Sequence, residues 1–375
     1  MESGSPMQSF NPTIEPQRLR QLLHRLIDIY SPSGKEEEIT SFVQAYLKRH
    51  GLTPVQQNVE GNRHNLLILP PGGEIRLALV GHLDTVMAYD LEDFGHEEHD
   101  DLIVGLGAAD MKGGCAAMIE AYIAFCRDAP VPPRVALALV VGEEEEGDGA
   151  RKLAREYHFP WAVIGEPTSI QPCFSDYGYI EVHITTRGKR RHASLANLGH
   201  NPIDTMLRLL LSMSQYVETQ RSDITFNIRE LSSSQSGFAV PERCDAWLDI
   251  HLPPTAPMGE ITLEIEEIFD RMRNDTPDFN GFIRFETIHT GYELPQKGTM
   301  ADILKKIYTT RSIPWNPRAF PSHSDANILW AAGMKPILLG PGELEKAHAP
   351  DEAVLFEDVL LAAQVYLDLL ISYSS

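Results

Sequence analysis

The sequence predicts an α/β protein with a mostly parallel layered sheet, helices on both faces, and an inserted ferredoxin-like α+β domain. Three observations lead there: short continuous apolar runs of strand length, amphipathic helical stretches between them, and a switch to alternating apolar character between about Gly178 and Tyr292.

A first helix reads from about Pro16 to Tyr30, where Leu19, Leu22, Leu23, Leu26, Ile27 and Tyr30 recur at helical spacing. Ser33 and Glu36 read as a capping box for a second helix through Ile39, Phe42, Val43, Tyr46 and Leu47, with Gly51 as its stop. Both helices need a sheet to cover. The runs NLLIL from Asn65, RLALV from Arg76, RVALALVV from Arg134, WAVI from Trp161 and PILLG from Pro336 supply it, and their unbroken apolar character suits strands buried on both faces. Helical stretches such as KGGCAAMIEAYIAF from Lys112 separate several of them and favour parallel connections.

From Gly178 the period changes to two: Ile180, Val182 and Ile184 alternate with Glu181, His183 and Thr185. A helix from Pro202, an alternating run at Ile224, Phe226 and Ile228, another at Ala246, Leu248 and Ile250, a helix from about Gly259 and a strand near Phe282 complete a β-α-β-β-α-β order, that of a ferredoxin-like unit. PILLG still belongs to the parallel sheet, so the expected division is a catalytic domain in two parts, 1–177 and 293–375, with an inserted domain at 178–292.

Composition narrows the function. Apolar residues at 43% and charged residues at 23% are those of a globular protein. The formal charge of -21 repels phosphate backbones and anionic membranes, which disfavours nucleic-acid and membrane partners. The opening MESGSPMQSF lacks the pattern of a signal peptide and no run approaches a membrane span, so a cytoplasmic location is expected. Cys115, Cys126, Cys173 and Cys244 form no CxxC pair, which leaves His and carboxylate as the ligands for any metal.

Candidate chemistry lies just beyond the strand ends, where an open α/β sheet gathers its ligands. His82 and Asp84 follow RLALV in GHLDTV, Glu143 to Glu146 follow RVALALVV in GEEEEGDGA, Glu166 follows WAVI in GEPT, and His348 in HAPDE comes after PILLG. Asp110 stands in GAADMKGG. Each motif alone has an ordinary reading as a solvated turn or a helix cap. Their convergence changes that reading, because several buried carboxylates are costly unless a dication offsets them.

The series GHLDT, GAADMKGG, GEEEEG, GEPT and HAPDE, in that order, resembles the co-catalytic two-zinc hydrolases that include acetylornithine deacetylase, succinyl-diaminopimelate desuccinylase, aminoacylase and related dipeptidases and carboxypeptidases. The likeness covers nearly the whole chain, including GKRRHAS and LGHNPID, which look like that family's lid motif. It implies two Zn2+, with Co2+ or Mn2+ as substitutes. His82, Asp110 and Glu166 would hold one ion and Asp110, Glu145 and His348 the other, with Asp110 bridging. Asp84 would accept a hydrogen bond from the second ring nitrogen of His82. Glu144 would be the general base that activates a shared water, although a shift of one residue within Glu143 to Glu146 remains open. His192 of RRHAS would reach the tetrahedral oxyanion, in many relatives from a neighbouring subunit, which points to a homodimer through the lid domain.

Two departures stand out: the family often has Arg where this chain has Leu106 and His251. Neither is an expected ligand, and both bear on packing or substrate preference. The acidic stretch Tyr89 to Asp101, with His96 and His99, reads as a solvated loop rather than a further metal site. Candidate substrate residues are Arg318, His323 and Ser324 in PRAFPSHSDAN, with Asn201 and Arg243 in the lid. YSPSGKEEE and HSDAN look closer to the acetylornithine deacetylase and desuccinylase branch. The expected reaction is therefore hydrolysis of an N-acyl amino acid amide, with a dipeptide or peptide C-terminus as the alternative. An inactive, metal-free scaffold is opposed by the presence of every expected ligand, and a nucleic-acid module by charge.

Overall fold

A computed structural model describes residues 12–374, apart from 73, 89–93, 130–131, 199 and 236. The chain divides into two compact units, one of residues 1–174, 294–318 and 324–375, the other of residues 175–293 and 319–323.

In the first unit, helices α1 (Pro16–Ile27) and α2 (Glu37–Arg49) precede the hairpin β1 (Val55–Glu60) and β2 (Arg63–Ile68). Then follow β3 (Leu77–His82), α3 (Gly113–Asp128), β4 (Val135–Val140), α4 (Asp148–Glu156) and β5 (Trp161–Ile164). β3 and β4 are buried at every position, which is why their sequences show no alternation. The sheet runs β1-β2-β4-β3-β5 and then Lys335–Leu338, the strand that carries PILLG. β3 lies parallel to both β4 and β5, and Lys335–Leu338 parallel to β5, while β1 and β2 pair antiparallel at one edge. Helix α3 packs on α1 and on the last helix, Phe356–Ser374, and α4 packs on Asp325–Ala331. The first turn of α3 sits hard against the sheet at Gly114, where a Cβ would come within 2.3 Å of the Gly165 carbonyl oxygen.

The expected capping box at α2 does not form. No side chain caps that helix. Ser33 Oγ donates instead to Asp84 Oδ2 (2.6 Å), and Glu36 accepts a bidentate pair from Arg63 of β2, at 2.9 Å from Nε and 2.8 Å from a terminal nitrogen. Two longer-range partners, a carboxylate and a guanidinium, outcompete the local cap.

The second unit contains β6 (Gly178–Arg187), α5 (Pro202–Gln220), β7 (Thr225–Ser233), β8 (Arg243–Leu252), α6 (Met258–Asp275) and β9 (Gly281–His289). Its four strands are all antiparallel in the order β7-β8-β6-β9, the arrangement of a ferredoxin-like sheet. Ile180, Val182, Ile184, Leu248 and Ile250 face Leu209 and Met213 of α5 and Ile261 and Ile265 of α6 in one core. Returning from this unit, the chain forms α7 (Thr299–Thr310), α8 (Asp325–Ala331), β10 (Lys335–Leu338), β11 (Ala353–Leu355) and α9 (Phe356–Ser374). No helix among the described residues is long and apolar enough to cross a membrane, and none of the four cysteines is joined in a disulfide.

Candidate metal centre

The ends of β3, β4 and β5 deliver the first ligands. His82 closes β3 and is buried, and its Nδ1 lies 3.0 Å from the Asp84 main-chain carbonyl oxygen. With Nδ1–H donated there, Nε2 is left to face Asp110 Oδ1 at 3.2 Å. The Asp84 carboxylate, expected to be that partner, is 3.8 Å from Nδ1. It accepts from Ser33 Oγ and, at 3.1 Å, from Glu144 N–H, and so ties the loop after β3 to the loop after β4.

Asp110 sits at the centre. Its Oδ1 faces His82 Nε2 and its Oδ2 faces His348 Nε2 at 3.4 Å, one oxygen toward each imidazole. The short run 107–112 that carries it is folded tightly: Gly107 has φ +78°, and Lys112 N–H donates to Gly107 O at 2.8 Å. Lys112 is itself buried and donates from Nζ to Ile29 O (2.8 Å).

The glutamate run presents its first two members to the cluster. Gly142 (φ +78°) and Gly147 (φ +61°) bracket it, and Gly147 N–H donates to Gly142 O at 2.7 Å. This closed loop turns Glu143 and Glu144 inward and leaves Glu145 and Glu146 exposed. Glu144 reaches His348 Nε2 at 3.0 Å, and His82, Asp110 and Glu144 offer ligand atoms within 4.8 Å of one another. Glu143 Oε2 lies 3.9 Å from His82 Nε2. Glu144, and not Glu145, thus stands with His82, Asp110 and His348, and Glu143 lies beside His82. The spacing to Gly147 does not show where the loop turns.

Electrostatics single out this cluster. Burial pushes Glu143, Glu144 and Glu166 upward, reinforced by neighbouring carboxylates. Burial alone would do the same to Asp110, but hydrogen bonds from His348 and His82 hold it well below the usual range. Burial opposes a charge on His348, yet its contacts with Asp110 and Glu144 push it up to about 11, and His82 is raised for similar reasons. Four carboxylates thus share two imidazoles, and Glu166 Oε1 is buried without a hydrogen-bond partner. A cluster with a surplus of anionic oxygen and two imidazole nitrogens suits divalent cations, so the residues present fit a metal.

Two further residues were not singled out from sequence. Asp325 at the start of α8 is buried, and burial pushes its carboxyl up to about 7. Glu352, the last residue of HAPDE, accepts hydrogen bonds from the N–H groups of Gly107, Ala109 and Asp110, each at 2.9 Å. Burial pushes it up to about 7 against the pull of those amides.

The remaining candidates have other engagements. Ser324 is the N-cap of α8, in a capping box with Asn327. Arg318 is exposed and donates to Thr168 O at 2.8 Å. Within the second unit, Asn201 caps α5 by accepting from Ile203 N–H, and Arg243 forms an ion pair with Asp245. His323 stacks on Tyr179 with ring centroids 3.9 Å apart, and His251 lies 5.8 Å from His323. His192 is exposed, with Nδ1 2.8 Å from Ser194 Oγ. Residues 89–93 of the acidic loop lie outside the described residues. Of the rest, Glu97–His99 is exposed, His96 pairs with Asp28 at 2.7 Å, and no second metal-binding group occurs among the described residues.

Comparison with known proteins supplies the family. The profile of Peptidase family M20/M25/M40 matches residues 78–372. The chain belongs to that family. An acetylornithine deacetylase from Photorhabdus laumondii is 27% identical over 350 residues, covering 85% of this chain and 86% of its own. The N-formyl-4-amino-5-aminomethyl-2-methylpyrimidine deformylase of Bacillus subtilis is 24% identical over 407 residues, covering 96% and 95%. Among solved structures, a tripeptidase from Staphylococcus aureus superposes with a TM-score of 0.79 at 20% identity, covering 97% of this chain and all of its own. This M20-family chain is a hydrolase.

Proposed function

We propose that the chain hydrolyses the amide bond of a small N-acyl amino acid, in the manner of an acetylornithine deacetylase. One observation carries the reading: the two carboxylate oxygens of Asp110 face two different imidazoles, with Glu143, Glu144 and Glu166 crowded around them. His82, Asp110 and Glu166 would hold one Zn2+, and Asp110, Glu144 and His348 the other, with Co2+ or Mn2+ as substitutes. Bound there, the ions supply positive charge that lowers the pKa of a water and polarises the scissile carbonyl.

The chain's own residues do the rest. Glu143 takes a proton from the attacking water as its oxygen bonds to the amide carbon, and returns it to the amine nitrogen as the C–N bond breaks. Asp84 holds the main chain of Glu144, and the carbonyl of Asp84 fixes the ring of His82. His192 is assigned to the oxyanion, and the exposed Arg318 to the substrate carboxylate.

Deacylation leads because a deacetylase and a deformylase stand among the sequence relatives. Cleavage of a dipeptide or a peptide C-terminus is the alternative. A homodimer through the second unit is supported by the edge position of β7 and by exposed Leu207 and Leu211, one turn apart on α5. Four cysteines without a disulfide among them suit a reducing compartment such as the cytoplasm. The test is amine release from acetylornithine, other N-acyl amino acids and dipeptides, with zinc-loaded and chelated protein. Chelator-sensitive release from the N-acyl substrates is expected, and release from dipeptides alone would transfer the assignment to a peptidase.

A further inference from the structure

Glu352 is remote in sequence from the segment that carries Asp110 but touches it through the backbone. One carboxylate oxygen accepts from Ala109 and Asp110 N–H and the other from Gly107 N–H, all at 2.9 Å and all buried. Its main chain joins in, since Gly105 N–H donates to Glu352 O at 2.9 Å. Just beyond, β11 pairs antiparallel with the short strand Leu102–Val104, Ala353 opposite Val104. Glu352 thus grips residues 105–110 from side chain and backbone together, and it stands four residues after His348, whose ring faces the other oxygen of Asp110. Lys112, whose own N–H closes the same run onto Gly107 O, is anchored by Nζ to Ile29 O.

We propose that Glu352 is a positioning residue for the metal centre: by holding the amides of Gly107, Ala109 and Asp110 it couples the segment that carries His348 to the carboxylate that bridges the two metal positions. The inference rests on the metal reading above. A carboxylate suits the task because it offers acceptor sites to three convergent N–H groups and has no proton that must be turned away from them. Glutamine keeps one acceptor oxygen but turns an NH2 toward at least one amide. Alanine leaves all three amides buried and unmet.

The test compares Glu352→Gln, Glu352→Ala and Leu304→Ala, the last a change in the core helix α7, with the wild type. Zn2+ affinity is measured by chelator competition, Co2+ absorption reports ligand geometry, and amide hydrogen exchange is followed in the chelated proteins. Glu352→Gln is expected to weaken the tighter metal site about 10- to 100-fold, to shift the Co2+ spectrum and to speed exchange at Gly107, Ala109 and Asp110. Turnover should fall through kcat with KM little changed. Leu304→Ala should lose stability with metal affinity and spectrum intact. Wild-type metal affinity and slow exchange at these amides in Glu352→Gln would overturn the role while leaving the metal centre standing. A wild-type protein that binds no Zn2+ or Co2+ would overturn the metal reading and this role with it, whatever the exchange rates.

Discussion

Replacing Glu143, Glu144 and Glu145 one at a time by glutamine separates the two registers of the glutamate run. Glu145 is exposed and outside the cluster, so Glu145→Gln should change stability by no more than about 0.5 kcal/mol and leave turnover and metal content as they were. Glu144 reaches His348 at 3.0 Å and shares the cluster with His82 and Asp110, so Glu144→Gln removes a charged ligand, and the dialysed protein should retain about one metal per chain. Glu143 lies 3.9 Å from His82 Nε2, and its loss takes away the proton carrier without taking away a ligand. A general base contributes about 10²- to 10⁴-fold, which at about 1.4 kcal/mol per tenfold is a barrier increase of roughly 3–5 kcal/mol. The assay pairs kcat from amine release with metal content by mass spectrometry on the same samples. Full activity and two metals in Glu143→Gln, with lost metal in Glu145→Gln, would refute the inward turn of the first two glutamates.

His348→Ala should weaken one metal site and lower turnover, checked by the same paired measurement. His192→Ala should lower kcat with metal content intact, and equal rates would remove the oxyanion role. Stability should depend on pH with opposite signs in the two metal states. In chelated protein, His348 at about 11 against its ordinary 6.5 contributes stability that is full below its ordinary value and is lost as pH rises toward 11, while the raised Glu143 and Glu166 add the same trend. Metal-loaded protein should gain stability with pH because the ligands release protons to bind, so melting temperatures scanned from roughly pH 6 to pH 9 should diverge. Arg63→Met should cost about 3 kcal/mol in chemical denaturation, because it strips the bidentate partner from the buried carboxylate of Glu36.

The architecture was legible because each strand announced its surroundings. RLALV and RVALALVV carry no polar residue on either face past their first arginine, which only a central parallel strand tolerates, and they became β3 and β4 with every position buried. The alternating runs at Ile180 and Leu248 became the antiparallel sheet of the second unit with those residues in its core. Local capping was less readable. Ser33 and Glu36 have the spacing of a capping box, but that spacing does not reveal that Asp84 and Arg63, 51 and 27 residues away, compete for the same side chains. A charged partner with good geometry gives a stronger hydrogen bond than a neutral cap, so the tertiary contact prevails.

The same limit explains what was missed at the centre. Residue types and strand ends pointed to His82, Glu166 and His348, because an open α/β sheet brings the loops after its parallel strands to one edge whatever their sequence, while Asp110 entered as a ligand only through the family resemblance. Which of four consecutive glutamates points inward depends on how the loop closes, and that is set by the positive φ values at Gly142 and Gly147 and the bond between them. Two glycines five apart permit that closure without requiring it. Glu352 was harder still: it lies in a motif already noted for His348, yet its partners are main-chain amides more than 240 residues away, which have no side-chain signature. Backbone N–H groups are the same at every residue, so a carboxylate that serves them can be recognised only once the fold has brought the two segments together.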